Sequence, residues 1–299
     1  MDTNALVIGI DVGGTEIKAG VMRGAQIIHT ERFATQRENG AEHSISQVLL
    51  AAKTMHEKFP EAVAIGVVVP GVVDAANGIA IYSENIHFDH VPFRKLVHDL
   101  TGKPVSFGHD VRAGGVAETL YGAGRGYKNS FFMPIGTGIA GAIIIEDVLF
   151  DNPFGGEIGH FDVNSGFACA CGLIGCLESI ATGPSIAREY NLRSGKNVAG
   201  AFEVLQANLA GDGVATEVWD AAIIAIAKVL TATVNLLSPD IMILGGGISK
   251  AGAHLIDPVI EYLDRHLTFQ PRPQIVSAAL GDSSGMIGAG IFGLRALHD

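Results

Sequence analysis

All three cysteines of this 299-residue chain fall in one eight-residue window, Cys169-Ala170-Cys171-Gly172-Leu173-Ile174-Gly175-Cys176, and His160 lies just upstream. Three thiolates and one imidazole are the soft, four-donor set that closes a tetrahedral structural zinc site. An odd cysteine count fits a disulfide framework poorly, and the N-terminus carries no secretion signal. Three inert core cysteines are the alternative, and the tight spacing with interleaved glycines argues against it. The cluster follows Gly155-Gly156-Glu157-Ile158-Gly159-His160 and precedes Glu178. A bound metal there braces a short segment that carries two carboxylates.

A second group of candidate residues lies in three glycine turns: Asp11-Val12-Gly13-Gly14-Thr15, Gly136-Thr137-Gly138 and Gly245-Gly246-Gly247. Glycine lets backbone N–H groups approach an anion closely, and threonine adds a hydroxyl donor. No dinucleotide fingerprint is present, because Lys250 stands where the third turn would need its last glycine, and no P-loop exists. A carboxylate at the mouth of a phosphate cradle repels a bare pyrophosphate. Asp11 therefore makes sense with Mg²⁺ between it and the phosphates, often through water; its alternative role is that of a turn former.

The elements that must position these residues follow from the apolar patterning. Residues 6–10 are a strand running into the first turn, and 17–22 and 27–31 are two more, joined at Arg23-Gly24. Residues 41–59 have helical periodicity and stop before Pro60, and 62–69 are a buried strand ended by Pro70-Gly71. A short helix over 93–100 leads to a strand over 105–107, which runs into His109-Asp110 and a helix over 111–121. The strand, glycine turn and two strands then recur over 131–150, which predicts an internal duplication of a β-meander/α core. Residues 216–237 form a long apolar helix stopped by Ser238-Pro239, 241–244 a strand into the third glycine turn, 251–267 a helix, 275–278 a strand and 288–297 a closing helix.

The length favours two domains. We place a small N-terminal α/β lobe at 1–108, with the closing helix 286–299 packed back on it, and a larger α/β lobe carrying the zinc loop at 109–285. The net charge of −11, with no basic stripe, argues against nucleic acid as a partner. No uninterrupted apolar run reaches the ~18 residues of a membrane helix; the longest, 62–73, is broken by Gly66, Pro70 and Gly71. Met1-Asp2-Thr3-Asn4 has no basic region, so the expectation is a cytoplasmic enzyme with no membrane partner.

Together these residues resemble the ROK family (repressors, open reading frames, kinases) of the sugar-kinase/actin-like ATPase superfamily, nearly end to end. Asp11-Val12-Gly13-Gly14-Thr15 is similar to its first phosphate motif, Gly136-Thr137-Gly138 to the second and Leu244-Gly245-Gly246-Gly247 to the adenosine motif. Residues 155–160 with the cysteine window and Glu178 resemble the ROK signature. The chain starts at its first strand, without the DNA-binding segment of the repressors, and so resembles the kinase branch.

The resemblance implies an α/β, two-lobed actin-like ATPase (ribonuclease H-like) fold with ATP and a hexose in a cleft between lobes. Asp110 takes the place of the family base, accepting the proton of the sugar 6-hydroxyl. Gly71, Asn85, His109, Glu157, His160 and Glu178 fall on the sugar side, with His160 also ligating zinc beside Cys169, Cys171 and Cys176. The ATP side takes Asp11, Gly13, Gly14, Thr15, Lys18, Gly136, Thr137, Gly138, Gly245, Gly246 and Gly247, with Asp11 on Mg²⁺. On the residues alone, Asp110 serves equally as an N-cap. Cofactors are structural Zn²⁺ and Mg²⁺ with ATP, and family members are often homodimers. Three departures bear on the sugar: His109 replaces the usual Asn, Phe88 stands near a common Trp, and Glu16 replaces a common Lys. The expected activity is ATP-dependent phosphorylation of a hexose, with glucose first. An N-acetylhexosamine kinase and a sugar-sensing regulator are the alternatives. A polyphosphate donor usually goes with a basic groove, and no Lys/Arg run is present to make one.

Overall fold

A computed structural model describes residues 5–297. The expectations for residues 1–4, and for the last two residues of the closing helix, lie outside them. The chain divides into two compact units, one formed by the segments to residue 122, 149–155 and from 282, the other by 123–148 and 156–281.

In the first unit the N-terminal apolar run becomes β1 (Leu6–Val12), antiparallel to β2 (Glu16–Arg23), which is antiparallel to β3 (Gln26–Ala34). Helix α1 (Ala41–Lys58) buries Val48, Ala51, Ala52 and Met55 on one face. Strand β4 (Ala64–Val69) pairs parallel with β1. All six of its residues are buried, as an unbroken apolar run between parallel neighbours demands. Three short strands, β5 (Val72–Asp74), β6 (Ile79–Ser83) and β7 (Phe88–Val91), make a separate antiparallel sheet. Then α2 (Phe93–Thr101) leads to β8 (Val105–His109), parallel to β4, and to α3 (Asp110–Tyr121). The main sheet has the order β3-β2-β1-β4-β8.

The second unit repeats this plan. It holds β9 (Ser130–Pro134), β10 (Ala142–Ile145), β11 (Val148–Leu149), α4 (Glu178–Ala181), α5 (Gly183–Ser194), α6 (Ala201–Leu209), α7 (Gly213–Leu237), β12 (Ile241–Gly245), α8 (Ala253–His266) and β13 (Gln274–Ser277). The sheet order, β11-β10-β9-β12-β13, is that of the first unit. The first strand is again antiparallel to the second and parallel to the fourth. By length and composition α7 could cross a membrane, although Glu217, Asp220 and Lys228 interrupt its apolar run. Its Trp219, Ile223, Ile226, Leu230 and Val234 lie in the core of this unit.

The last helix, α9 (Ser284–Arg295), belongs to the first unit. Its small residues let it lie almost on the sheet. A Cβ at Gly66 of β4 would come within 1.7 Å of the Ala289 carbonyl oxygen, and one at Gly288 within 2.0 Å of the Ala113 carbonyl oxygen on α3. The α3–α9 contact keeps α3 in the first unit, so the boundary falls at 122/123 and not at 108/109. Residues 149–155 and 282–285 belong to the first unit as well. Gly66→Ala is expected to cost about 3 kcal/mol, the upper range for overpacking against backbone that cannot swing aside. Gly213→Ala, at an open site with nothing within 4 Å, should be neutral or stabilise by about 0.4–1 kcal/mol. The two urea midpoints, compared with wild type, check both expectations.

Candidate functional site

In the first unit the main sheet delivers its candidate residues at strand ends. Gly13 N–H donates to the Glu16 carbonyl at 2.9 Å, closing the turn after β1. The buried Thr35 staples the following loop to it, its N–H donating to the Thr15 carbonyl at 3.0 Å and its hydroxyl to the Gly13 carbonyl at 2.7 Å. The Gly13 amide, expected to face a phosphate, is thus spent on the turn, and Gly14 and Thr15 present theirs. Asn85 sits in the β6–β7 turn, where its Cβ is 3.9 Å from the position of a Cβ on Gly14. Gly71 precedes β5 with φ +99°, and a Cβ there would come within 2.3 Å of the Tyr82 carbonyl oxygen.

Asp11 lies opposite Lys18 in the β1–β2 register, and Lys18 Nζ donates to the Asp282 carbonyl at 3.0 Å. A Cβ at Gly285 would come within 2.5 Å of the Asp11 carboxylate, so α9 starts directly on it. Burial raises the Asp11 carboxyl to about 7, Asp110 adds to the rise, and Lys18 opposes it. A hard divalent cation at this oxygen would return it to the charged form, so the residues present fit Mg²⁺. Asp110 begins α3, one residue earlier than the expected helix start. The helix N-cap is the buried His109, whose Nδ1 lies 3.2 Å from both Val111 N and Asp110 Oδ1. Asp110 Oδ1 also accepts the Val111 N–H at 2.7 Å, which leaves Oδ2 for a ligand. Phe88 is a core residue, edge-on to Phe93 at 5.0 Å between ring centres, so its difference from Trp is one of packing. Glu16 pairs with Arg32 of β3.

In the second unit Gly136 N–H donates to the Gly138 carbonyl at 3.0 Å, so this turn also closes on its first glycine and presents the next two amides. Gly246 has φ +75°, and a Cβ there would lie 2.4 Å from the Ile135 carbonyl oxygen, so the third glycine turn seats directly on the second. From Gly136, Thr137 and Gly247 opens a cavity of about 360 Å³, walled by Gly183 and Pro184 of α5, residues 199–202 and Leu205 around α6, Trp219 of α7, and Ile248, Lys250 and Ala251. Beyond the glycine turns its walls carry no sequence motif, because they are mostly small and apolar residues drawn from several separate segments.

The four soft donors converge. The ligand atoms of His160, Cys169, Cys171 and Cys176 all lie within 4.8 Å of one another. Cys169 Sγ is 3.7 Å from His160 Nδ1, and Cys171 Sγ is 3.7 Å from Cys176 Sγ. An edge of a tetrahedron with Zn–S bonds near 2.3 Å is about 3.8 Å, so the spacing fits zinc. Burial, and then the two other thiols, push Cys176 up to about 12, and burial raises Cys169. The backbone N–H of Leu173 draws Cys171 down. Thiolates in such a place need a cation to persist. The knuckle is tightened by Gly175 at φ +100°, where a Cβ would come within 2.3 Å of Asp162 Oδ1. Glu178, two residues after Cys176, accepts the Ile139 N–H on Oε1 at 2.5 Å. The half-buried Glu178 thereby links the knuckle to the Gly136–Gly138 turn, while Glu157 stands exposed.

Two five-stranded sheets of one order, each ending its first strand in an anion-presenting turn, define the actin-like ATPase (ribonuclease H-like) fold. The chain belongs to the ROK family, whose model matches residues 7–295. It is 31% identical over 305 residues to a glucokinase of Thermotoga maritima, covering 95% of each chain. A ROK hexokinase structure from Thermus thermophilus superposes with TM-score 0.86 at 29% identity, covering 98% of this chain and 99% of the other. A ROK glucokinase structure from Streptomyces griseus, in complex with glucose and AMPPNP, gives TM-score 0.85 at 28% identity, with 97% and 100% covered.

Proposed function

We propose that this chain is an ATP-dependent hexose kinase that transfers the γ-phosphoryl group to the 6-hydroxyl of a hexose, with glucose as the first substrate. The observation that carries the reading is the pair of equivalent turns. Gly14 and Thr15 follow Asp11, whose carboxyl feels Asp110, and Gly136 and Thr137 line an apolar cavity in the size range of ligand pockets, about 300–1,000 Å³. Phosphoryl transfer asks the protein for positioning and charge neutralisation.

In this reading the cavity beside Gly136, Thr137 and Gly247 takes the adenosine, with Gly245 and Gly246 shaping its floor. The amides of Gly14, Thr15, Thr137 and Gly138 hold the phosphates, and Lys18 sets the charge balance at Asp11. Asp11 would hold Mg²⁺, which would supply compensation for phosphate charge. Asp110 accepts the proton of the attacking hydroxyl on its free Oδ2. Asn85, His109, Glu157 and Glu178 orient the sugar hydroxyls, with Gly71 shaping the backbone that carries them. Facing Cys169 with Nδ1, His160 keeps Nε2 for the sugar. Zinc, with four protein ligands and no open position, is structural.

A second reading, an N-acetylhexosamine kinase, rests on His109, which stands where the family Asn contacts the sugar. ADP release should be measured with glucose, mannose, fructose, allose, N-acetylglucosamine and N-acetylmannosamine. Glucose is expected to give the highest kcat/KM. Preference for an acetylated sugar would select the second reading, and no ATP-dependent turnover on any would remove both.

A further inference from the structure

Three side chains that do not line the second-unit cavity come from elements that do carry its walls, and they meet one another. Tyr190 of α5, fully buried, donates its hydroxyl to Asp212 Oδ2 at 2.8 Å. Lys196, in the loop between α5 and α6, donates from Nζ to the same carboxylate oxygen at 2.7 Å and to the Tyr190 hydroxyl oxygen at 3.0 Å. Asp212 Oδ1 accepts the Ala215 N–H at 3.0 Å and so caps α7. One node therefore joins the helix bearing Gly183 and Pro184, the loop running into Ala199 and Gly200, and the helix bearing Trp219. The loop leaves α5 through Gly195 at φ +72°, and Asn191 grips Val198 from both sides, accepting its N–H at 2.8 Å and donating to its carbonyl at 3.0 Å.

We propose that Lys196 is a positioning residue for the nucleotide: with Asp212 and Tyr190 it ties the α5–α6 loop to the two helices that carry cavity-wall residues, and so holds those walls in register. This rests on the reading that the cavity takes the adenosine of ATP. The hydrogen bond between them holds Lys196 above the usual amine range and Asp212 below the usual carboxylate range, so the node stays charged across neutral pH. An ion pair with one partner largely in solvent adds little to global stability, and the Asn191–Val198 bonds keep the loop folded without it. Loosening the node therefore changes the cavity and leaves the fold.

The test uses the full chain and AMPPNP with Mg²⁺ as the probe, titrated by calorimetry, together with steady-state kinetics on the best sugar of the panel. Lys196→Met is expected to weaken AMPPNP and raise the ATP KM by about tenfold, the scale of a modest misplacement of binding groups. The sugar KM should stay within about twofold and the melting temperature within about 2 °C. Lys196→Arg should recover most of the affinity, and Asp212→Asn, which keeps the α7 cap and loses the charge, should repeat the loss. Equal AMPPNP affinity for wild type and Lys196→Met overturns the proposal and leaves the kinase reading intact. A loss spread equally over both substrates with a fallen melting temperature also overturns it. Failure of wild type to bind AMPPNP overturns both.

Discussion

Asp110→Asn is expected to lower kcat by about 10²–10⁴-fold, the usual contribution of a positioned general base, with sugar and nucleotide affinities nearly unchanged. The side chain has two separable tasks. Oδ1 accepts the Val111 N–H at 2.7 Å at the start of α3, and Oδ2 is open to a ligand. Asparagine keeps the first task, because its carbonyl oxygen caps a helix as well as a carboxylate does, and His109 Nδ1 lies within reach of the same N–H at 3.2 Å. The fold is therefore expected to stand, with a shift in stability under about 1 kcal/mol. What asparagine cannot do is take a proton from the attacking hydroxyl. The substitution also removes one of the two influences that raise Asp11, so the Asp11 carboxyl moves down. Single-turnover kinetics with direct sugar binding check this; a kcat within tenfold of wild type would remove Asp110 as the base.

The parts of the site that were legible in the sequence are those in which one short segment carries the whole signal. The cysteine window is such a segment, since its three thiols fall within eight residues and stand with His160 within 4.8 Å of one another. So are the glycine turns, because a strand that breaks into Gly13-Gly14 or Gly136 marks its own end. The duplication was visible for the same reason, as two meanders of like spacing, and the identical sheet orders follow from it.

What was hidden depends on contacts between distant residues. The β5–β7 sheet leaves no pattern in the sequence because its strands are three to five residues long and broken by polar residues such as Asp74, Tyr82 and Asp89. Helices α5 and α6 are equally unmarked in the sequence. Tyr190, Lys196 and Asp212 look like ordinary surface residues until α5 and α7 bring them together. The domain boundary was misplaced because nothing local to residue 109 announces that α3 will pack on α9, some 175 residues away. A signal did exist for that packing: glycines at 285, 288, 290 and 293 place small residues along one helix, as close approach to a sheet requires.

The second large effect is expected at the Cys169–Cys176 knuckle, the proposed zinc site. Cys171→Ser should lower bound zinc well below one per chain, lower the melting temperature and raise the sugar KM together. Cys171 is the right ligand to change because it is exposed. A serine there meets water, whereas at the buried Cys176 a hydroxyl would add a desolvation cost of its own. Zinc-finger peptides gain about 10–16 kcal/mol from the metal. This knuckle is packed on a folded unit and should depend on it far less, by about 3 kcal/mol, which at about 2–4 °C per kcal/mol lowers the melting temperature by about 6–12 °C. The kinetic effect follows from position. His160 is itself a donor, and Glu178 begins α4 two residues after Cys176, holding the Ile139 N–H at 2.5 Å. A loosened knuckle therefore displaces His160 and Glu178, and outer supports of this kind typically cost about 10–100-fold in affinity. Because Ile139 follows the Gly136–Gly138 turn, a smaller rise in the ATP KM should accompany the loss. Full zinc content with unchanged kinetics and melting temperature in Cys171→Ser would show that the four donors do not form the site.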